Sequence, residues 1–295
     1  SALDNAISFE SIYAQANLTN YSIPFILTRA TADTPNVMYE EKSVVEAFQE
    51  AGYKTAFISK NSYTPFTMRI MNSCDYHYIF SKGLDAVESY DIDIIQQVKE
   101  NYNTQGQFIV LHSLGSHFKY NLRYPKNADY YTPSLQANDG YSKITEEHKD
   151  LLINAYDNSI RYTDYVLGSL IQWVDSLNQK AVIMYISDHG ESFWDDERKL
   201  SLHGSYELCE AEYHVPCIIW YSNEYKETFP NKVEKLSDNK RVAANSSVTF
   251  STLLDLANLS EVVDPTKSLC SPHIQQVDSF AVLTGAGEIK TYVIQ

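Results

Sequence analysis

The sequence predicts an α/β protein with a mostly parallel central sheet that is sandwiched by helices. Short apolar runs rich in β-branched residues alternate, along the 295 residues, with amphipathic segments of helical periodicity. Such alternation is typical of parallel sheets covered by helices. No linker, internal repeat or low-complexity tract interrupts the pattern, so we interpret residues 1–295 as a single domain.

The N-terminal half contains two predicted helices and two predicted strands. Apolar residues at helical spacing predict a helix over residues 41–51, closed by Gly52 at its C′ position. Residues 55–59 follow as a strand. A helix is predicted over residues 91–102, and a second, buried strand over residues 107–112.

A long loop separates these elements from the C-terminal half. Residues 119–142 are rich in Tyr, Asn and Pro, and long loops in compact domains are often functional. The strongest helical periodicity covers residues 145–179, and the apolar run 181–186 after it predicts a buried strand. The remaining predicted elements are a strand at 215–221, a helix at 247–257 and a terminal strand pair at 280–283 and 291–294.

Composition excludes some partners. The formal charge of −15 argues against nucleic acid, whose phosphates would be repelled, and against adsorption to an anionic membrane by charge alone. No run approaches the roughly 20 apolar residues that span a bilayer, and no signal peptide opens the chain. Because the chain begins without Met, we expect an excised soluble fragment. The four cysteines have no C-x-x-C spacing and are compatible with two disulfides or with four buried thiols: Cys74, Cys209, Cys217 and Cys270.

The most informative segment is Ser-Asp-His-Gly-Glu at residues 187–191. It follows the predicted strand 181–186, so Asp188 and His189 stand where open α/β sheets bind their ligands. A carboxylate beside an imidazole suits a divalent ion such as zinc. A further His, His203, follows shortly after.

Two other polar segments stand in loops or at strand ends. They are Thr-Asn-Tyr-Ser-Ile-Pro at residues 19–24 and His-Ser-Leu-Gly-Ser-His at residues 112–117. Each segment alone is a weak signal, because a lone Thr or His near the end of a strand is more often structural than functional. Metal chemistry needs ligands that are distant in sequence and converge in space, so their joint presence in an α/β chain predicts a metal site.

These segments resemble the periplasmic catalytic domain of phosphoethanolamine transferases in the alkaline phosphatase/sulfatase superfamily. That group includes lipid A-modifying enzymes and mobile colistin-resistance enzymes. The order and approximate spacing match from about residue 5 to residue 222, in LHSLGSH at 111–117, RYP at 123–125, YDNSI at 156–160, SDHGES at 187–192, LHG at 202–204 and HVP at 214–216. The resemblance implies an alkaline phosphatase/sulfatase-like fold.

The resemblance also implies roles for individual residues. Asp188 and His189 match zinc ligands. Thr19, three residues before Ser-Ile-Pro at 22–24, matches a nucleophilic threonine that also binds the metal. A threonine hydroxyl is a poor nucleophile at neutral pH, and coordination by zinc generates the alkoxide.

Three more residues match the site around the donor. His117 and His203 match histidines that line the head-group site or hold a second zinc, so the implied cofactor is one zinc ion or two. Either histidine is a candidate to protonate the departing glycerol oxygen, because histidine titrates near neutral pH. Asn61 matches a polar contact to the head group.

The implied reaction is zinc-dependent transfer of phosphoethanolamine from phosphatidylethanolamine to lipid A or another glycan or lipid acceptor, through phospho-Thr19. The implied location is the periplasmic face of the bacterial inner membrane, with membrane association through a missing N-terminal region. The family also has a zinc-binding Gly-Glu about 40 residues before its nucleophile, in a first strand that would precede Ser1. We therefore expect this fragment to bind metal more weakly and to be incomplete as an enzyme.

Two other interpretations stay open. One is a sulfatase-like phosphohydrolase or a phosphoglycerol transferase. A sulfatase nucleophile would lie in Cys/Ser-x-Pro-x-Arg, whereas this chain has Ile26 at the Arg position. The other is a non-catalytic glycan- or lipid-binding relative, which the missing carboxylate favours and which predicts no tight zinc binding and no phosphorylation of Thr19.

Overall fold

A computed structural model describes residues 2–61, 63–80, 89–102, 106–136 and 138–294. The chain forms two compact units. Unit 1 comprises Ser1–Ala51, Ile171–Ser192 and His203–Gln295, and unit 2 comprises Gly52–Leu170 and Phe193–Leu202. The interpretation of residues 1–295 as a single domain stays a prediction. No helix among the described residues combines the length and apolar character needed to cross a membrane.

The described strands are β1 Ala6–Phe9, β2 Ile12–Tyr13, β3 Lys54–Ser59, β4 Tyr76–Ile79, β5 Gln107–His112, β6 Val182–Ile186, β7 Ser192–Phe193, β8 Ser201–Leu202, β9 Cys217–Tyr221, β10 Ala244–Asn245, β11 Ser279–Leu283 and β12 Ile289–Val293. The described α-helices are α1 Thr19–Leu27, α2 Val37–Glu40, α3 Val44–Glu50, α4 Pro65–Ser73, α5 Ile92–Asn101, α6 Lys149–Asp175, α7 Glu210–Tyr213, α8 Asn223–Thr228, α9 Pro230–Asp238 and α10 Val248–Leu256. Every element predicted from the sequence is present, with shifts of a few residues at the ends.

Unit 2 contains the predicted parallel sheet. Its strand order is β4-β3-β5, both pairings are parallel, and α4 and α5 pack against β3. Ser59 lies opposite His112 in the register, so the carboxyl ends of β3 and β5 lie side by side. The segments that follow these two strands, including Asn61, therefore leave the sheet at the same edge.

The sheet of unit 1 has the order β1-β9-β6, and both β1 and β6 pair antiparallel with β9. The predicted parallel pairing holds in unit 2 but not in this sheet, because an apolar run has the same pattern in either direction of pairing. Its core is formed by apolar side chains of β1, β9, α9 and α10, among them Ile219 and Leu236, with Met184 of β6 packed against them. β6 lies at the edge of this sheet and is half-buried along its length.

The helix boundaries follow from local side-chain chemistry. α3 begins after Ser43, whose hydroxyl accepts the N–H of Glu46 in a capping box, and Gly52 follows its end with φ +86° as predicted. α6 begins at Lys149, after a short 3₁₀ turn, instead of at residue 145. α1 was not predicted, because Pro24 lies inside it and proline usually ends a helix.

The predicted long loop at 119–142 is irregular apart from three short 3₁₀ turns, with residue 137 outside the described residues. Its apolar side chains form a small core in unit 2. Tyr120 is fully buried there, against Leu152 and Ala155 of α6 and Phe193. All four cysteines are free thiols, three of them buried, which excludes the two-disulfide alternative for this structure.

Candidate active site

The segment after β6 lies close to the backbone of α7. The Gly190 N–H donates to the carbonyl oxygen of Glu212 at 2.9 Å. A Cβ on Gly190 would lie only 2.0 Å from the carbonyl oxygen of Ala211, so only glycine fits. The Ser187 hydroxyl donates to the carbonyl oxygen of His189 at 2.7 Å and holds the turn that carries Asp188.

Thr19 is the first residue of α1, directly after the N-cap residue Leu18. The Ser22 hydroxyl donates to the carbonyl oxygen of Ala16 at 2.9 Å, which anchors the first turn of the helix to the preceding segment. The first N–H groups of an α-helix have no partner within the helix and favour negative charge nearby. The Thr19 hydroxyl therefore occupies a place where a developing anion is stabilised.

The imidazole of His189 lies between the side chains of Thr19 and Asp188. Its Nδ1–H donates to the carbonyl oxygen of Gly190 at 3.0 Å, so Nε2 carries the lone pair when the ring is neutral. That Nε2 lies 3.3 Å from the Thr19 hydroxyl oxygen and 3.6 Å from Oδ2 of Asp188. A backbone carbonyl on the other ring nitrogen is the usual arrangement of a metal-binding histidine. The structure thus brings together the three residues predicted as metal ligands.

His203 forms a second pair beside this group. Its Nδ1–H donates to Oε1 of Glu191 at 2.9 Å, and its ring lies 4.1 Å from that of His189, measured between centroids. Gly204, with φ +80°, lets the chain turn directly after His203. A Cβ on Gly204 would lie 2.9 Å from the Leu18 side chain, so the His203 loop approaches the start of α1 closely.

The side chains of His189, Glu191 and His203 are arranged so that they could bind a metal ion together. His189, Glu191 and His203 each offer a ligand atom within 4.8 Å of the others. Glu191 is buried, and its Oε2 has no hydrogen-bond partner within the described part of the chain. A buried carboxylate oxygen without a partner is costly, and a cation bound there would compensate it.

Glu191 is a functional candidate that the sequence analysis missed. It belongs to the quoted segment 187–191, where it received no role. The available signal was a second carboxylate three residues after Asp188. Its pairing with His203 depends on a contact between loops, which no local pattern records.

The electrostatics of His203 reflect this pairing. Burial lowers the pKa of His203, but the hydrogen bond and the charge of Glu191 outweigh burial, so the net shift of the pKa is upward. The charges of Asp188 and Glu212 add to the rise. Without metal, the ring therefore holds its proton to a higher pH than an ordinary histidine.

The other two predicted residues belong to unit 2. Asn61 Nδ2 lies 3.5 Å from Nε2 of His112, at the carboxyl ends of β3 and β5. His117 lies on the loop after β5, where its Nδ1–H donates to the carbonyl oxygen of Phe118. The roles of Asn61 and His117 stay predictions.

A buried carboxylate holds the loop that carries His117. Asp91 accepts the N–H of Leu114 at 3.1 Å and that of Gly115 at 2.8 Å. Burial raises the pKa of Asp91, while the two backbone hydrogen bonds oppose the rise.

Comparison with known proteins agrees with the motifs. A model of the sulfatase family matches residues 1–259. Phosphoethanolamine transferase EptC of Escherichia coli strain K12 is 27% identical over 288 residues, which are 92% of this chain and 48% of the relative. Kdo(2)-lipid A phosphoethanolamine 7''-transferase of the same strain is 28% identical over 216 residues, which are 70% of this chain and 36% of that relative. The chain thus spans about half the length of EptC.

The fold comparison points the same way. The crystal structure of the C-terminal periplasmic domain of EptC from Escherichia coli, in complex with zinc, superposes with a TM-score of 0.84 at 24% identity. The match covers 95% of this chain and 80% of that domain. The predicted alkaline phosphatase/sulfatase-like fold and the resemblance to phosphoethanolamine transferases are both confirmed.

Proposed function

From the premise that the chain belongs to the sulfatase family, we propose that it is a zinc-dependent transferase. It moves phosphoethanolamine from phosphatidylethanolamine to lipid A or to another glycan or lipid acceptor. One observation carries the proposal: the Thr19 hydroxyl lies at the start of α1, 3.3 Å from Nε2 of His189. A hydroxyl beside an imidazole suits group transfer through a covalent intermediate. Similarity to two transferases named for phosphoethanolamine supports the identity of the group.

The proposed ligands of the metal are Thr19, Asp188 and His189, and Glu191 with His203 offers donors to a second ion or to the same one. Imidazole and carboxylate donors suit zinc. When bound, zinc would lower the pKa of the Thr19 hydroxyl and neutralise charge on the phosphoryl oxygens. The zinc complex of the related EptC domain supports this choice of metal.

Thr19 acts first in the proposed sequence. Its Oγ, which has lost its proton to solvent before the attack, attacks the phosphorus of the donor head group while the bond from phosphorus to the glycerol oxygen breaks. This leaves phosphoethanolamine esterified to Thr19 and releases the diacylglycerol. The N–H groups at the start of α1 stabilise the negative charge of the transferred group. A histidine supplies the proton that the glycerol oxygen takes up: His203, when its Nε2 does not bind the metal, or His117.

The second step reverses these roles. An acceptor hydroxyl attacks the phosphorus, the histidine that lost its proton takes the proton of that hydroxyl, and the Thr19 oxygen leaves. Asn61 is proposed to contact the head group. We place the reaction at the periplasmic face of the bacterial inner membrane, with membrane association through a region N-terminal to this domain. The description of the related EptC structure as a C-terminal periplasmic domain supports this location.

The test is direct detection of phospho-Thr19. Zinc-loaded protein is incubated with vesicles of phosphatidylethanolamine without an acceptor, and peptides covering Thr19 are examined by mass spectrometry for one added phosphoethanolamine group. We expect the adduct on wild-type protein and its absence from Thr19→Ala. Thr34→Ala, which changes an exposed threonine after the end of α1, is the matched control and should keep the adduct.

The same assay separates the alternatives. Vesicles of phosphatidylglycerol should give no adduct, whereas a phosphoglycerol transferase would give one. Zinc-loaded wild-type protein that stays unmodified with both lipids would contradict the proposal and favour the binding relative.

A further inference from the structure

We propose that Glu212 is a positioning residue that fixes the Thr19 segment and the His203 loop against the Asp188–Gly190 segment. The inference rests on the proposed function of this site. Glu212 lies in the short helix α7 and is fully buried, at 0% exposure. Within the described residues, its side chain accepts hydrogen bonds from Asn17 and Ser205 and from none of the reacting groups assigned above.

The side chain of Glu212 joins two segments. Its Oε2 accepts Nδ2–H of Asn17 at 2.7 Å and the N–H of Ser205 at 3.2 Å. Asn17 precedes Thr19 by two residues, and Ser205 follows His203 by two residues. The Asn17 amide also donates to the Ser205 carbonyl oxygen at 2.9 Å, which closes a ring of three hydrogen bonds.

The backbone of Glu212 holds the third segment. Its carbonyl oxygen accepts the Gly190 N–H at 2.9 Å, next to the close approach between Gly190 and Ala211. One residue therefore contacts all three segments that carry Thr19, His203 and the Asp188–His189 pair. Nothing in the chain order brings these segments together, because Asn17 and Glu212 are 195 positions apart.

A carboxylate at this place is difficult to explain by packing alone. Burying a charge costs several kcal/mol unless hydrogen bonds compensate it, and apolar residues of similar volume are often as stable in such positions. Here Oε1 of Glu212 has no hydrogen-bond partner among the residues that the structure describes. What the carboxylate provides is one oxygen that accepts hydrogen bonds from two segments at once, at 2.7 Å from Asn17 and 3.2 Å from Ser205.

Two substitutions separate positioning from packing. Glu212→Gln keeps an oxygen that accepts both hydrogen bonds and puts its amide nitrogen at the unpartnered position. Glu212→Leu keeps most of the volume and removes both acceptors. Positioning predicts that Glu212→Leu lowers the rate of phospho-Thr19 formation roughly 100-fold, the loss expected for a displacement near 1 Å, with a much smaller change in KM. Glu212→Gln should restore most of the rate. Glu210→Leu, on the same helix with its side chain 60% exposed, is the matched control and should behave as wild type.

A second pair of measurements keeps the inference testable if Glu212→Leu folds poorly. Asn17→Ala removes the partner from the other segment and leaves Glu212 intact. If the two residues act through their hydrogen bond, the double variant should be no slower than the slower single variant. Additive losses of rate would overturn the inference.

Amide hydrogen exchange tests the geometry without any reaction. Glu212→Leu should speed exchange at residues 17–22 and 203–208 relative to wild type, and Glu212→Gln should not. A folded Glu212→Leu with wild-type exchange and a wild-type rate would overturn the positioning role. If wild-type protein forms no phospho-Thr19, the proposed function fails, and the exchange result alone still decides whether Glu212 holds these segments.

Discussion

Gly190→Ala is the sharpest test of how the site is assembled. The new Cβ would lie 2.0 Å from the carbonyl oxygen of Ala211, whereas real Cβ atoms keep at least 3.0 Å, so the two backbones must separate by about 1 Å. The obstacle is backbone, which no rotamer change can relieve. The separation would also break the 2.9 Å hydrogen bond from Gly190 to Glu212.

The expected cost has two parts. Overpacking a close contact typically costs 1–3 kcal/mol, and the lost backbone hydrogen bond costs about 1 kcal/mol. We therefore expect Gly190→Ala to lower the free energy of unfolding by roughly 2–4 kcal/mol, measured by urea denaturation in zinc-free buffer. Because Asp188 and His189 move with this backbone, the rate of phospho-Thr19 formation should fall roughly 100-fold.

Gly168→Ala provides the control. Gly168 lies inside α6, and a Cβ there meets no atom within 4 Å. Alanine in a helix interior is more stable than glycine by about 0.5–1 kcal/mol, so this variant should gain stability and keep its activity. If Gly190→Ala unfolds like wild type and reacts at the wild-type rate, the reasoning from backbone approach is refuted.

Three further predictions use the same unfolding assay. Removal of zinc with a chelator should lower the unfolding free energy by about 4 kcal/mol when zinc was present at 1,000 times its Kd. In Asp188→Ala, removal of zinc should change the unfolding free energy much less. Glu191→Gln should lower the pKa of His203 in metal-free protein, seen in its ring proton NMR shifts, since the Glu191 charge raises that pKa. In wild-type protein the Glu191–His203 pair stabilises the fold below about pH 6.5, the pKa of histidine in the unfolded chain. This contribution is lost as the pH rises through the raised pKa of His203 in the folded protein, so the stability of the variant should lack this pH dependence. Asp75, whose pKa is lowered to about 2 by hydrogen bonds from Lys54 and Thr55, should stabilise the fold above about pH 4 and stop doing so as pH falls to 2. Because Asp75 is a third exposed and screened, Asp75→Asn should cost only about 1 kcal/mol at neutral pH, and a loss that does not shrink in acid would contradict this account.

The elements that local pattern determines were predictable from the sequence. β5 and β6 occur where apolar runs predict them, and Gly52 adopts the left-handed conformation expected after a helix. Asp188 and His189 lie directly after β6 for the same reason, since polar residues that follow an apolar run stand at the end of a strand, and their role as metal ligands stays a prediction. α1 was missed because Pro24 lies within it. Tertiary packing of its buried face, which includes Phe25 and Ile26, outweighs the local preference.

The parts that could not be predicted depend on contacts between distant segments. Glu191 binds His203 across 12 residues, and Glu212 binds Asn17 across 195. A lone Glu inside a polar loop has no periodicity that would distinguish it from a solvated charge. Only the fold shows that both carboxylates are buried.

Burial of these carboxylates links metal binding to stability. Glu191 and Glu212 are buried in unit 1, and Asp188 is three-quarters buried beside them, in a chain whose formal charge is already −15. Each buried anion costs several kcal/mol unless positive charge lies nearby, and the raised pKa of His203 shows that this histidine takes up part of that role when no metal is bound. A divalent cation at the Glu191–His203 pair would supply the charge instead and release the proton. Binding of zinc should therefore release protons and stabilise unit 1 through the same carboxylates, and both effects should shrink together in Glu191→Gln.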